Sequence, residues 1–246
     1  MKHRFAVSVI IPAHNEEKYI GRCIRSVKQS AKMLDKSVEI ITVCNRCTDR
    51  TAEIAAANGA RVVFNEDRCI ARVRNTGISA ARGRIIVTID ADNRMTRGTL
   101  SEIYRLMKCG RYIGGGAPMR FERYSFPLLL NDLLCRVSFG LTGLYCGIFW
   151  AEKSSFDAIG GFADIKAMED AVTASRLKKL GKERGLKYTC LRKNFLINSV
   201  RKFDAMGDWL YFRLIFKNAD AFISAALGNR QKLDSLLDRL FYDFNA

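Results

Sequence analysis

This 246-residue sequence predicts an α/β fold built on an open, mostly parallel sheet flanked by helices. Three observations carry that expectation. Short, continuous β-branched runs recur through the first ninety residues, as strands buried on both faces require. Helical stretches with apolar residues at three- and four-residue spacing separate them. The connections are short, which is the pattern of right-handed βαβ units.

The elements follow in order. Val7 to Ile11, closed by Pro12, is the first strand. A helix from about Glu16 sets Ile20, Cys23, Ile24 and Val27 on one face. Val38 to Val43 is the second strand, and Asp49 to Asn58 is a short helix stopped by Asn58-Gly59. Arg61 to Phe64 is the third strand, Ile70 to Ala81 a helix ended by Arg82-Gly83, and Arg84 to Ile89 a fourth strand running into Asp90. Beyond residue 95 the pattern loosens. Thr99 to Cys109 reads as a helix, and Ile113 to Phe121 as extended chain behind a turn at Gly114-Gly115-Gly116. Phe126 to Ala151 is the most apolar stretch, broken by Asn131, Asp132 and Arg136. It falls short of a clean membrane span and reads as a buried helix and strand, with a membrane-surface role as the alternative. Ser154 to Ile159 is a helix ended by Gly160-Gly161, Asp170 to Leu180 another, and Leu186 to Leu191 a late strand. From Asp208 onward the sequence reads as amphipathic helices that either pack on the core or lie on a membrane surface.

The net charge of +16, from 41 basic and 25 acidic residues, attracts polyanions: nucleic acid, phosphorylated metabolites or an anionic membrane face. The basic residues are scattered, and no nucleic-acid motif with clustered aromatics accompanies them, so nucleic acid is not expected as a partner. The apolar run near the start is too short for a signal peptide. Eight cysteines without a secretory pattern read as reduced thiols, which points to the cytoplasm.

In an open parallel sheet ligands bind beyond the carboxyl ends of the strands. The residues there are Pro12-Ala13-His14-Asn15-Glu16, Cys44-Asn45-Arg46, Asn65-Glu66-Asp67 and Asp90-Ala91-Asp92. Asp90 and Asp92 would repel each other unless a cation joins them. Hard oxygen ligands suit Mn2+ or Mg2+, which also bind substrate phosphates. An Asp-rich turn with Asp92 capping a helix is the competing explanation; the place at a strand end favours a ligand site. Cys44-Asn45-Arg46-Cys47 has the spacing of a redox pair, although two small residues in a binding loop explain it as well. Gly114-Gly115-Gly116 lacks the lysine and hydroxyl of a phosphate loop.

VSVIIPAHNEEKYIGRCIRSV, CNRCTDRTAEIA, ARVRNTGISAARGRIIVTIDADN, GGF and MEDAVTASRLKKLG occur in this order between about residues 7 and 181. Together they resemble family 2 glycosyltransferases. The resemblance implies the GT-A fold, a Rossmann-like sheet, over residues 1–205. A nucleotide-binding half would occupy 1–110 and an acceptor half 111–205, followed by a helical extension at 206–246. It implies that Pro12, Ala13 and Glu16 line the nucleotide site, that Asn45 lies near the base and Arg74 near the nucleotide. Asp90 would contact ribose, Asp92 would ligate the metal with Asp90 and Ala91 beside it, and Asp170 would be the catalytic base. Phe162 would form part of the acceptor-side wall. The implied reaction is inverting, metal-dependent transfer of a sugar from a nucleotide-diphospho-sugar, most often a UDP-sugar, to a hydroxyl.

The sequence departs from the family in three places. Cys44 and Asn45 stand where an Asp is usual, which leaves the base open. Val172 replaces a second acidic residue. The Gln-x-x-Arg-Trp motif of processive synthases is absent, which suggests one sugar per encounter. Arg201 and Lys202 are placed either near the diphosphate or as plain surface charge. Charge and apolar helices suggest a glycan or lipid-linked acceptor of the cell envelope, with peripheral contact at the inner face of an anionic membrane. Two readings compete: a sugar-phosphate nucleotidyltransferase, which would want a Gly-rich loop after the first strand, and a basic nucleic-acid-binding domain.

Overall fold

The structure is a computed structural model, and it describes residues 4–144, 147–165 and 169–218. The strands described are β1 (Phe5–Ala13), β2 (Val38–Asn45), β3 (Arg61–Asn65), β4 (Gly83–Ile89), β5 (Arg94–Met95), β6 (Tyr112–Gly116), β7 (Met119–Phe121), β8 (Ile148–Glu152), β9 (Lys187–Cys190) and β10 (Leu196–Asn198). The helices are α1 (Ile20–Lys32), α2 (Thr51–Ala57), α3 (Ile70–Ala80), α4 (Thr99–Lys108), α5 (Phe126–Thr142), α6 (Lys153–Ala158), α7 (Glu169–Glu183), α8 (Arg201–Met206) and α9 (Leu210–Lys217). A seven-stranded sheet runs β3-β2-β1-β4-β8-β6-β9, and a small second sheet runs β5-β10-β7.

The parallel half forms for the reason its sequence suggests. β1 lies between β2 and β4, with Val7 opposite both Val38 and Ile85. Its side chains alternate between two cores, as strand geometry demands. Val9 and Ile11 join Ile20, Ile24 and Val27 of α1 on one face. Ile10 joins Ile41, Val43 and the α3 residues Ala71, Val73 and Ile78 on the other. α1 begins at Ile20, later than Glu16, because residues 16–19 form a turn in which the Tyr19 and Ile20 amides donate to the Glu16 carbonyl. β8 runs antiparallel to both β4 and β6, so the sheet is mostly, not wholly, parallel.

Two expectations need correction. Gly114, Gly115 and Gly116 lie within β6 and form no turn. β6 is pressed between β8 and β9, and a Cβ at Gly114 would collide with the Trp150 carbonyl oxygen, one at Gly115 with the Thr189 carbonyl oxygen. The glycines mark close backbone approach. Likewise α5 is not a buried helix. Leu128 is fully buried with Val200, Phe203 and Leu210, but Leu129, Leu133, Leu134, Val137 and Leu141 are exposed. Its sequence is apolar almost all round, so periodicity could not reveal that only one side has a packing partner. β8, by contrast, is buried as expected, with Ile148 to Ala151 inside. Of the helices expected from Asp208 onward, α9 is seen, and residues 219–246 lie outside the described residues.

Gly115→Ala should destabilise the fold by about 1–3 kcal/mol through overpacking, whereas Gly140→Ala, with open space around it in α5, should stabilise by about 1 kcal/mol from helix propensity. Urea denaturation of both variants checks the contrast.

Candidate functional site

The loops after β1 and β2 are stitched to each other. Pro12 and Ala13 are buried at the end of β1, level with Val43 and Cys44 of β2. Just beyond, Asn15 and Arg46 take left-handed backbone conformations with φ of 51° and 46°, which is costly for a non-glycine residue and frequent at functional loops. The Asn15 side-chain oxygen accepts the Thr48 amide at 2.9 Å, and His14 Nδ1 donates to the Asn45 carbonyl at 2.7 Å. The Asn45 side-chain nitrogen donates to the carbonyls of Asn65 (2.9 Å) and Asp67 (2.8 Å). That nitrogen is committed to bracing the β2 and β3 loops, so recognition of a base by Asn45 would fall to its side-chain oxygen.

Arg74 occupies the centre of the site. It sits on α3, 6% exposed, with its guanidinium 5.1 Å from the centroid of the Phe162 ring. One terminal nitrogen holds Glu169 at 2.9 Å and Asp170 at 2.7 Å; the other holds Asp90 at 2.9 Å. Burial works against a charge here, but Asp170, Asp90 and Glu169 outweigh it and keep Arg74 protonated. Burial lifts the Asp170 carboxyl to about 7 against the pull of Arg74, and the charges of Glu169 and Asp90 add to the rise. α3 thus ties the end of β4 to the first turn of α7.

A second guanidinium closes the other side. Arg201, opening α8, donates from its terminal nitrogens to both oxygens of Glu16 at 2.9 and 2.6 Å, and its Nε lies 3.1 Å from Asp92. The Ser199 amide donates to Asn93 Oδ1 at 3.0 Å, which pins this segment beside the Asp90-Ala91-Asp92 turn. Burial raises Glu16 to about 7; Arg201 opposes the shift and the charges of Asp92 and Asp90 reinforce it. Asp92 is raised too, by burial first, with Arg201 opposing and Asp90 adding. Partial burial holds half-buried Lys202 below the usual lysine range, with Asp92 pulling the other way.

The structure therefore gathers Pro12, Ala13, Glu16, Asn45, Arg74, Asp90, Ala91, Asp92 and Asp170 around the strand ends, with Arg74 joining Asp90 and Asp170 and Arg201 joining Glu16 and Asp92. Phe162 does not wall an acceptor site. It is 1% exposed and packs on Phe149 and Phe156 in the core. Sequence reasoning missed Tyr19, Arg22 and Glu122. The Arg22 and Arg201 guanidinium groups lie 4.6 and 5.1 Å from the Tyr19 ring centroid, and Arg22 pairs with Glu122 at 3.2 Å and with the Asp92 carbonyl at 3.2 Å. The Tyr19-x-x-Arg22 spacing at the start of α1 was the available signal. In the Cys-x-x-Cys pair, a mutual hydrogen bond brings the Cys47 thiol down to about 7 and pushes the Cys44 thiol up. The seven cysteines described are free thiols. No cluster of three or more His, Cys, Asp or Glu is arranged to enclose a metal among the described residues.

Residues 8–131, half of the chain, match the model for Glycosyl transferase family 2. The glycosyltransferase GlyG of Streptococcus pneumoniae is 30% identical over 105 residues, covering 40% of this chain and 34% of that protein. The matched stretch thus spans about a third of that relative. Among solved structures, the mannosyltransferase PcManGT of Pyrobaculum calidifontis, in complex with GDP-Man and Mn2+, superposes with a TM-score of 0.64 at 22% identity. The match covers 80% of this chain and 57% of that one. TarS of S. aureus, in complex with UDP, superposes with a TM-score of 0.60 at 18% identity, covering 79% and 60%. These likenesses establish the GT-A fold.

Arg74→Met should cost about 3–5 kcal/mol of stability, because three carboxylates lose their common cation. Without the pull of Arg74 the Asp170 carboxyl moves above about 7, so the loss should be full well above pH 7 and shrink as the pH falls toward about 7, where the uncompensated Asp170 has taken up its proton. Thermal melts across that range check the sign.

Proposed function

The chain belongs to glycosyl transferase family 2, and we propose that it transfers a sugar from a nucleotide-diphospho-sugar to a hydroxyl acceptor with inversion. The observation that carries this reading is the Arg74 cluster. It sets Asp90, on the strand-end turn suited to a diphosphate, and Asp170, on the first turn of α7, against the same guanidinium.

The residues on the donor side fit a hard divalent cation. Asp90, Asp92 and Glu16 offer only oxygen, and burial holds Glu16 and Asp92 above their ordinary ranges despite Arg201, with the charges of Asp92 and Asp90 adding at Glu16 and that of Asp90 at Asp92. Further positive charge would relieve them. An ion of the Mn2+ or Mg2+ class takes one or two carboxylates and completes its shell with phosphate oxygens and water, so no full protein cage is needed. Asp92, with Asp90, would hold it. When bound it stabilises the negative charge on the departing nucleoside diphosphate.

The chain's own groups supply the rest. Arg201 and Lys202, beside Asp92, add positive charge where the leaving group develops negative charge. Pro12, Ala13, Glu16 and Ala91 line the nucleotide pocket. The Asn45 side-chain oxygen accepts from a base, which matches the N3–H of uracil, and a UDP-sugar is the proposed donor. Asp170 takes the proton of the attacking hydroxyl. A carboxyl whose pKa lies near 7 is a stronger base than an ordinary aspartate once ionised. The proposed acceptor is a cell-envelope glycan or glycolipid, extended by one sugar per encounter.

Calorimetry with UDP, GDP and CDP should show binding strengthened by Mn2+, with UDP tightest; equal binding with and without metal would overturn the metal assignment. Asp170→Asn should retain UDP binding and lose transfer by about 10²–10⁴-fold, and equal loss of both would show the base to be misassigned. Because Asp170 acts ionised, wild-type kcat/KM should rise with pH and level off above about 7.

A further inference from the structure

α5 presents to solvent what a helix ordinarily hides. Phe126, Leu129, Leu133, Val137 and Leu141 follow one another at three- and four-residue intervals, so they form one continuous stripe. Every one of them is exposed, Phe126 at 71% and Leu141 at 83%. Opposite them Leu128 anchors the helix to Phe203 and Leu210. Trp209 lies against the start of the stripe, its ring 6.4 Å from that of Phe126, and is itself 45% exposed.

A groove of about 240 Å³ runs along the neighbouring flank of α5, lined by Arg120, Arg136, Arg192 and Lys193 among apolar residues including Phe121 and Phe139. Its one acidic group, Asp132, is paired with Arg136 at 2.8 Å. Helix geometry places Arg136 between the groove and the stripe. Exposed aliphatic side chains, a tryptophan at their edge and a basic flank together make the pattern of a helix that lies in a bilayer interface.

We infer that α5 and its basic groove form a docking surface for an anionic lipid bilayer, with the stripe entering the interface and the groove taking headgroup phosphates. Charge decides among occupants. A second copy of a chain with net charge +16 would bring like charge to a basic surface. The segment 219–246 carries Arg230, Lys232 and Arg239 against Asp220, Asp234, Asp238 and Asp243, too nearly neutral to complement the groove. An anionic bilayer supplies both the apolar layer and the phosphates. Among the described residues no helix is long and apolar enough to cross a membrane, so this contact lies on the surface. It requires no assumption about the reaction or the nucleotide.

The test is flotation of the full chain with vesicles of phosphatidylcholine alone and of phosphatidylcholine mixed with phosphatidylglycerol, with tryptophan emission recorded in parallel. The expected result is binding to the anionic vesicles that salt weakens, with a blue shift that Trp209→Phe abolishes. Replacing both Leu133 and Val137 by Ser should weaken binding by about tenfold or more, and Arg192→Ala and Lys193→Ala by about fivefold each. UDP binding should be unchanged in all of these variants. Absence of vesicle binding overturns the proposal, as does binding indifferent to lipid charge or to the stripe. So does a stripe variant that splits a dimer in light scattering, which would make a second copy the occupant. A stripe variant that loses thermal stability would assign the stripe to residues 219–246 and overturn it equally.

Discussion

Arg74 carries its charge where water barely reaches, and three carboxylates from two distant parts of the chain meet on it. An isolated guanidinium in that position would be too costly to bury, and the carboxylates alone would repel one another. The cluster is stable only as a set. It therefore fixes a geometric relation that backbone packing does not: the turn after β4 and the first turn of α7 must approach α3 together. The turn after β4 and the first turn of α7 thus place Asp90 and Asp170 on the same guanidinium. Arg201 balances the other end by joining Glu16 at the end of β1 to Asp92. Glu16, Asp90 and Asp92 are thus held between two guanidinium groups.

The arrangement leaves carboxylates short of positive charge. Glu16, Asp92 and Asp170 all sit above their ordinary ranges because burial outweighs the nearby arginines. Buried carboxylates held above their ordinary ranges mark a candidate functional site. Glu16 shares its loop with the left-handed backbone at Asn15, and Arg46 takes the same conformation in the adjoining loop after β2. The mostly parallel sheet beneath, with β1 between β2 and β4, supplies what holds them there.

Much of this was legible in the sequence. The β-branched runs at β1, β2 and β4 allowed no other structure than buried strands, and chain order then placed Asp90, Asn45 and Pro12 at their carboxyl ends. The acceptor half was less legible. β6 reads as a turn because its glycines suit turns equally well, and only the crowding from Trp150 and Thr189 explains them. α5 is apolar on most sides, so its sequence could not say which face packs. The family resemblance implies an acceptor-side wall at Phe162, yet its ring completes a core with Phe149 and Phe156. The joining of Glu16 to Arg201 spans most of the chain, and no local pattern encodes a contact of that range.

The most direct measurement of the central claim is a crystal structure of the chain with UDP and Mn2+. The expected result has one metal ion between the diphosphate and Asp92, uracil beside Asn45, and Asp170 still held by Arg74 on the side where the sugar would lie. A nucleotide seated away from the ends of β1, β2 and β4, or Asp92 still locked to Arg201 with no ion beside the diphosphate, would contradict it.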